Sequence, residues 1–352
     1  MKISFMLKRE DFYEINRKTL ETYYQNSQKK KRLYIYPELN AIVTARPSKA
    51  VRRYLYTEFR VSGSCVKRLL VRLYATLLLN SGGLLASKSI HIRTDADAYT
   101  LIYPCNKKYR VFDFRKNQVS VFGKDGFPKD DLSREMAFRT QNAAAFIPKL
   151  LFSNQDGYTE AVIDGCPVAR AGARTKELCD RAFAIWSEYI RPQTEEISGE
   201  DYAKELEAGL DLMKNRAEKR RKKIDISSLD ALCGELLKVV QAADEKITVG
   251  LSHGDLQPGN IWVESGTDKL YIIDWESWQR RSTWYDKAAL YEGLRRQDGI
   301  AGYAQKRDLI HATVLLEDIL FRLNELTTLP YDYGCAEFDA YIKVLRGENT
   351  NV

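Results

Sequence analysis

The chain has 352 residues and a formal net charge of +7, from 55 Lys and Arg set against 48 Asp and Glu. That length exceeds what one compact core usually holds and predicts two domains or one two-lobed unit. A balance so nearly even excludes a dedicated nucleic-acid binder, and no nucleic-acid partner is expected. Six cysteines (Cys65, Cys105, Cys166, Cys179, Cys233, Cys335) form no CxxC pair and no Cys/His cluster at zinc-ligand spacing, which excludes a zinc module and predicts reduced, structural thiols.

The first ten residues lack the sustained apolar run of a secretory signal. The most apolar stretch, 73–85, is broken by Asn80, Gly82 and Gly83 and is shorter than the roughly 20 residues of a spanning helix. A cytoplasmic protein without a transmembrane segment is therefore expected. Residues 9–28 carry helical spacing (Phe12, Ile15, Leu20, Tyr23), followed by the charge run 29–32 and a hairpin over 33–43. Ser64 is placed to cap a helix over 64–80, with Leu69, Leu70, Leu73, Ala75 and Leu77 as its apolar face and Gly82 and Gly83 ending it. Residues 1–98 thus read as an N-terminal extension associated with the lobe that follows.

From Thr100 the pattern changes to three short strands, 100–103, 109–114 and 119–122, joined by turns at 105–108 and 115–118. Asp130 or Asp131 is placed to cap a helix running to about 145, and a strand over 161–164 ends at Gly165. Residues 99–165 are accordingly an α+β lobe built on an antiparallel sheet. Residues 166–352 read as a mostly helical second lobe, with helices over 175–189, 200–222, 229–244, 287–296, 306–325 and 336–345. The basic run 216–223 is read as a solvated helix end whose cations suit the C-terminal dipole.

The chemistry concentrates in LSHGDLQPGNIWVESGTDKLYIIDWE, residues 251–276. Pro258 and Gly259 force a turn, so Asp255 and Asn260 bracket a short irregular loop. Two apolar runs, 261–263 and 270–273, flank a Ser-Gly-Thr-Asp turn and predict a hairpin. Asn260 precedes its first strand and Asp274 follows its second, so pairing at about 5 Å sets the two side by side at the open end. One carboxylate and one amide carbonyl are hard oxygen ligands suited to Mg²⁺, which keeps its other positions for waters and substrate phosphates. Asp255, five residues before Asn260, is placed to accept the proton of an incoming hydroxyl.

HGDLQPGN followed by IIDWE resembles the catalytic loop and metal-binding segment of the aminoglycoside phosphotransferase and choline kinase superfamily, which shares the protein-kinase fold. The resemblance implies a two-lobed fold with an antiparallel-sheet N-lobe and a mostly helical C-lobe. It implies Asp255 as catalytic base, Asn260 and Asp274 as metal ligands, ATP or GTP with Mg²⁺ as cofactors, and a small hydroxylated acceptor: a sugar, an amino alcohol or an aminoglycoside-like molecule. Kinase-like folds pair a third-strand lysine with a glutamate on the next helix, and the matching positions are Lys124, with Lys129 as its competitor, and Glu135. YTEAVIDGCP, 158–167, resembles the family's hinge, where backbone groups meet the adenine. One departure is that the turn 105–108 has no glycine where the family has a phosphate loop.

That departure keeps a second reading open, a catalytically silent kinase-like nucleotide-binding module. A third is a peripheral binder of anionic polymers or membranes through 29–32 and 216–223. His253 is expected to brace the loop rather than act as a base, Asp286 to cap the helix after it, whether or not it also supports the catalytic loop as the resemblance implies, and Trp275 to pack in the core or stack on a substrate.

Overall fold

The structure is a computed structural model, and it describes residues 10–58, 65–105, 107–295, 297–329, 332 and 334–348. The expected cap Ser64 lies outside the described residues. Packing divides the chain into two compact units, Met1–Thr175 with Trp262–Ile273, and Lys176–Ile261 with Asp274–Val352.

The first unit runs α1 (Glu10–Tyr23), β1 (Lys30–Tyr36), β2 (Ala41–Val43), α2 (Lys49–Glu58), α3 (Cys65–Asn80) and β3 (Lys88–Arg93). It continues with β4 (Thr100–Pro104), β5 (Lys108–Asp113), β6 (Gln118–Gly123), α4 (Asp130–Gln141), β7 (Leu150–Asn154), β8 (Gly157–Ala161) and β9 (Gly165–Pro167). Eight strands form one sheet in the order β3-β1-β2-β4-β5-β6-β8-β7, and every registered pair in it is antiparallel. The extension therefore widens the sheet of the α+β lobe by three strands, joined through Ile42 opposite Ile102.

Alternation along the strands gives this sheet two apolar faces. Leu101, Phe112, Val119 and Val121 pack under Val51 and Leu55 of α2, Leu78 of α3 and Leu132 of α4. Ile42, Ile102, Tyr109, Val111 and Phe122 face the other way, against Leu20 of α1. Helix α2 was not expected from the sequence: Ser48 starts it, its Oγ accepting from Val51 N–H at 3.3 Å, and Val51 and Leu55 of it are fully buried. Helix α4 differs from expectation at both ends. Its cap position is Lys129 without a side-chain cap, Asp130 and Asp131 lie in the first turn, and it stops at Gln141. The strand expected over 161–164 lies earlier: β8 ends at Ala161 and is paired with β7, which was not expected.

The chain continues with α5 (Thr175–Ile190), β10 (Glu195–Ile197), α6 (Gly199–Lys219), α7 (Ile226–Gln241), β11 (Ile247–Ser252), β12 (Ile261–Glu264) and β13 (Leu270–Ile272). It ends with β14 (Gln279–Ser282), α8 (Thr283–Tyr291), α9 (Gln297–Ala304), α10 (Leu309–Thr328) and α11 (Cys335–Leu345). The hairpin β12–β13 pairs with β9 in the first unit. That pairing, Trp262 opposite Pro167 through Glu264 opposite Gly165, carries the first unit to Thr175 instead of ending it at 165. Strands β10, β11 and β14 form a small sheet in the second unit. Its core is made by Leu206 and Leu210 of α6, Leu232 and Leu236 of α7, and Leu315, Leu316 and Ile319 of α10. Ser198, Asp225 and Asp308 cap α6, α7 and α10 by accepting the backbone N–H three residues on. Among the described residues no helix is long and apolar enough to cross a membrane.

Two adjacent acids on α10 sit inside this core: Glu317 is 1% exposed and Asp318 0%. Glu317 accepts from Tyr202 Oη of α6 and from the Ser282 N–H and Oγ, tying α10 to α6 and to the start of α8. Burial raises its carboxyl to about 7. A folded-state value above the unfolded one near 4.5 means that the folded protein holds the extra proton, so stability is full below about pH 4.5 and falls as pH rises toward 7. Over that interval wild-type stability should fall by up to ~3 kcal/mol. Urea melts of Glu317→Gln should show a flatter profile between pH 5 and pH 8; parallel profiles would refute the assignment.

Candidate active site

The loop 253–260 leaves β11 and enters β12, and a buried carboxylate holds it by its backbone. Asp286, 3% exposed, accepts from the N–H groups of His253 at 2.8 Å and Gly254 at 3.1 Å. It also accepts from Ser252 Oγ at 3.0 Å and Trp186 Nε1 at 2.9 Å. Asp286 is therefore not a helix cap: it lies inside α8, whose cap position is Ser282, and it spends its oxygens on the loop. Gly254 has φ +82°, and a Cβ there would lie 2.1 Å from Ser277 O, so this position requires glycine.

His253 is fully buried; its Nδ1 accepts from Asp255 N–H at 3.2 Å and its ring centroid is 4.4 Å from that of Trp275. The bracing role expected for it holds. Trp275, with no exposed surface, also packs 5.4 Å from Trp186 and belongs to the core.

Asp255 and Asn260 meet. Asn260 Nδ2 donates to Asp255 Oδ2 at 3.0 Å and to Asp255 O at 2.9 Å, and Gln257 Nε2 donates to the same carboxylate at 2.9 Å. With its NH₂ group committed to Asp255, Asn260 turns its carbonyl oxygen to the other side. Arg295 Nε lies 3.2 Å from Asp255 Oδ1. Burial raises the Asp255 carboxyl above the ordinary carboxylate range; Arg295 and His253 oppose the shift and the nearby Asp274 charge adds to it.

Arg295 is itself held. Its Nη1 meets Asp318 at 2.5 Å, its Nη2 donates to Gly254 O at 2.7 Å and Tyr285 Oη at 2.6 Å, and its guanidinium lies 3.7 Å from the Phe321 ring centroid. Asp318 also accepts from Arg322 at 2.7 Å and Tyr341 at 2.7 Å. Nothing in the order of residues announces Arg295 or Asp318, because both reach the loop through tertiary packing.

Asp274 follows β13 by two residues and has φ +70°, ψ +57°, a left-handed conformation uncommon outside glycine and tolerated by Asp. The hairpin turn holds through Glu264 N–H to Lys269 O at 2.9 Å. Asn260 and Asp274 thus bracket β12 and β13, as the sequence predicts.

In the first unit Glu135 is fully buried, but its cation is not Lys124. Lys108 Nζ meets Glu135 Oε2 at 3.0 Å, Tyr158 Oη donates to Oε1 at 2.9 Å, and Arg139 Nη1 lies 3.6 Å away. The reason is strand parity. Lys108 stands opposite Gly123 in the β5–β6 ladder, and a Cβ on Gly123 would meet Lys129, at the cap of α4, and Leu132 of α4. Lys124, one residue on, faces away from α4. Its Nζ sits 5.0 Å from the Tyr109 ring centroid without a hydrogen-bond partner, and burial lowers its ammonium to about 8. Lys129 pairs at the surface with Asp156 at 2.7 Å.

The glycine-free turn between β4 and β5 is pinned to α4. Lys107 Nζ meets Asp131 at 2.7 Å with both side chains buried, beside the Lys108–Glu135 pair. Alternation within KYRVFD placed Lys108 with Arg110 and Phe112 on one face, the signal that marks it as Glu135's partner.

Residues 133–288 match the choline/ethanolamine kinase family model, a span that contains Glu135, Asp255, Asn260, Asp274 and Asp286. No curated protein matches the chain. Similar solved structures include a Plasmodium vivax ethanolamine kinase, at 15% identity and TM-score 0.45 over 86% of this chain and 95% of that one. Choline kinase LicA from Streptococcus pneumoniae is similar at 15% identity and TM-score 0.42 over 71% and 91% of the two chains. An aminoglycoside 2'-phosphotransferase-IIIa in complex with GDP is similar at 15% identity and TM-score 0.44 over 78% and 97%.

Replacing Asp286 with Ala would leave two backbone N–H groups, a hydroxyl and an indole N–H without their acceptor. Denaturant melts should register a loss of about 3–5 kcal/mol. A loss under ~1 kcal/mol would show that Asp286 does not hold the loop.

Proposed function

From the choline/ethanolamine kinase domain that residues 133–288 carry, we propose that this small-molecule kinase transfers the γ-phosphate of Mg²⁺-bound ATP or GTP to an alcohol. The acceptor is a small hydroxylated molecule, a sugar, an amino alcohol or an aminoglycoside-like compound, and the reaction takes place in the cytoplasm. The observation that carries this reading is the Asp255 carboxylate hydrogen-bonded to the Asn260 amide at 3.0 Å, in a loop continuous with the hairpin that ends on Asp274.

Asp255 is the base. Its side chain is 22% exposed, and Gln257, Asn260 and Arg295 hold its carboxylate, so an acceptor hydroxyl is oriented from the open side and gives up its proton there as the phosphoryl group arrives. Burial, which raises its carboxyl, makes it a better proton acceptor than a solvated aspartate. The Asn260 amide oxygen and the Asp274 carboxylate form a hard-oxygen donor set that fits Mg²⁺. When bound, that ion would offset charge on the β- and γ-phosphates. Lys108, held by Glu135, positions the phosphates in place of Lys124, which lies on the opposite face of the sheet.

The decisive assay is nucleotide consumption with Mg²⁺ and ATP or GTP across a panel of hydroxylated acceptors. Asp255→Asn should cut acceptor-dependent turnover by ~10²- to 10⁴-fold with nucleotide affinity nearly unchanged. Nucleotide binding without turnover on any acceptor would favour the silent module, a reading that the glycine-free turn 105–108 supports. In the same assay Lys108→Met should raise the nucleotide KM ~10-fold or more, and Lys124→Met should leave it within ~3-fold. The reverse order would return the phosphate-binding role to Lys124.

A further inference from the structure

A small hollow lies within the first unit. Its walls are Arg110 and Phe112 of β5, Val119 of β6, residues 160–163 at and after the end of β8, Trp262 of β12 and Ile273. Trp262 lies two residues after Asn260, and Ile273 immediately precedes Asp274. One wall, residues 160–163, belongs to the segment whose sequence resembles the hinge.

The remaining wall comes from the N-terminal extension. Val51 and Leu55, both fully buried, fasten α2 to the sheet, and Tyr54 of the same helix lines the hollow. Its ring centroid is 4.7 Å from that of Phe112 and 5.4 Å from that of Phe114. It lies 6.4 Å from Trp262 with only 16° between the ring planes. The free volume left is about 30 Å³, room for a water and not for a purine. A flat base held between two rings needs two contacts of about 3.5–4.0 Å, so a separation of about 7 Å or slightly more. The present 6.4 Å is short of that by roughly an ångström. The half-buried Tyr54 side chain can make that shift by rotation about its own bonds while Val51 and Leu55 stay seated.

We propose that Tyr54 is a nucleotide-contacting residue supplied by the extension: it stacks on the base, with Trp262 as the opposing ring and residues 160–163 along the base edge. The inference rests on the nucleotide-dependent kinase reading and deepens it. It gives residues 1–98 a part in the nucleotide site, and it makes the contact one that reads a flat aromatic face and not phosphate.

The test is calorimetric binding to the full-length protein of ATP and GTP with Mg²⁺, and of inorganic tripolyphosphate with Mg²⁺, which has phosphates and no base. Tyr54→Ala should weaken nucleotide binding by ~5- to 100-fold, the range for loss of one base–aromatic stack. It should leave tripolyphosphate binding unchanged, while Tyr54→Phe, which keeps the ring, should bind nucleotide like wild type. Equal losses for nucleotide and tripolyphosphate would mean general damage and would overturn the proposal. So would nucleotide binding by Tyr54→Ala that is as tight as wild type or tighter, the latter marking the ring as a plug. A wild-type protein that binds neither nucleotide would overturn the kinase reading itself, a result distinct from any failure confined to Tyr54.

Discussion

The second unit's chemistry depends on the burial of Asp286. An aspartate removed from water must spend its oxygens on donors inside the protein, and here those donors are Ser252, His253, Gly254 and Trp186. Two of them are consecutive backbone N–H groups, so the carboxylate fixes the direction in which the chain leaves β11. Gly254 can follow only with positive φ, and Asp255 comes next with its own N–H on His253. A loop without regular hydrogen bonding thereby becomes as determined as a strand.

A second buried acid works on the same loop from the side-chain end. Asp318 holds Arg295, and Arg295 reaches Gly254 O and Asp255. Burial raises the Asp255 carboxyl, and the Arg295 guanidinium, whose Nη1 and Nη2 are occupied by other partners, opposes that shift. The tyrosines around Asp318, Tyr285 and Tyr341, supply neutral donors where more cations would over-compensate the site. Two acids adjacent in sequence, Glu317 and Asp318, thus serve different ends: the first ties helix to helix, and the second reaches Asp255 through Arg295.

In the first unit the same economy appears with the signs reversed. Buried lysines need carboxylates, and α4 provides them at Asp131 and Glu135 for Lys107 and Lys108. These pairs fasten Lys107 and Lys108 to α4 through side chains. Lys124 is the exception. Its amine lies against the Tyr109 ring with no carboxylate among its partners, and the same burial that isolates it depresses its basicity.

The sequence by itself determined the α+β class, the mostly helical second half, and the loop and hairpin that carry Asp255, Asn260 and Asp274. These features are local: Pro258 and Gly259 permit few backbone conformations, and strand alternation repeats every two residues. Only the tertiary structure decided which lysine meets Glu135, because a single-residue step along β6 turns a side chain to the opposite face. Only it decided that Asp286 holds the loop and does not cap the helix, that Arg295 stands on Asp255, and that β1, β2 and β3 extend the sheet. Each of those facts joins residues far apart in the chain, and short-range spacing carries no record of a partner a hundred residues away.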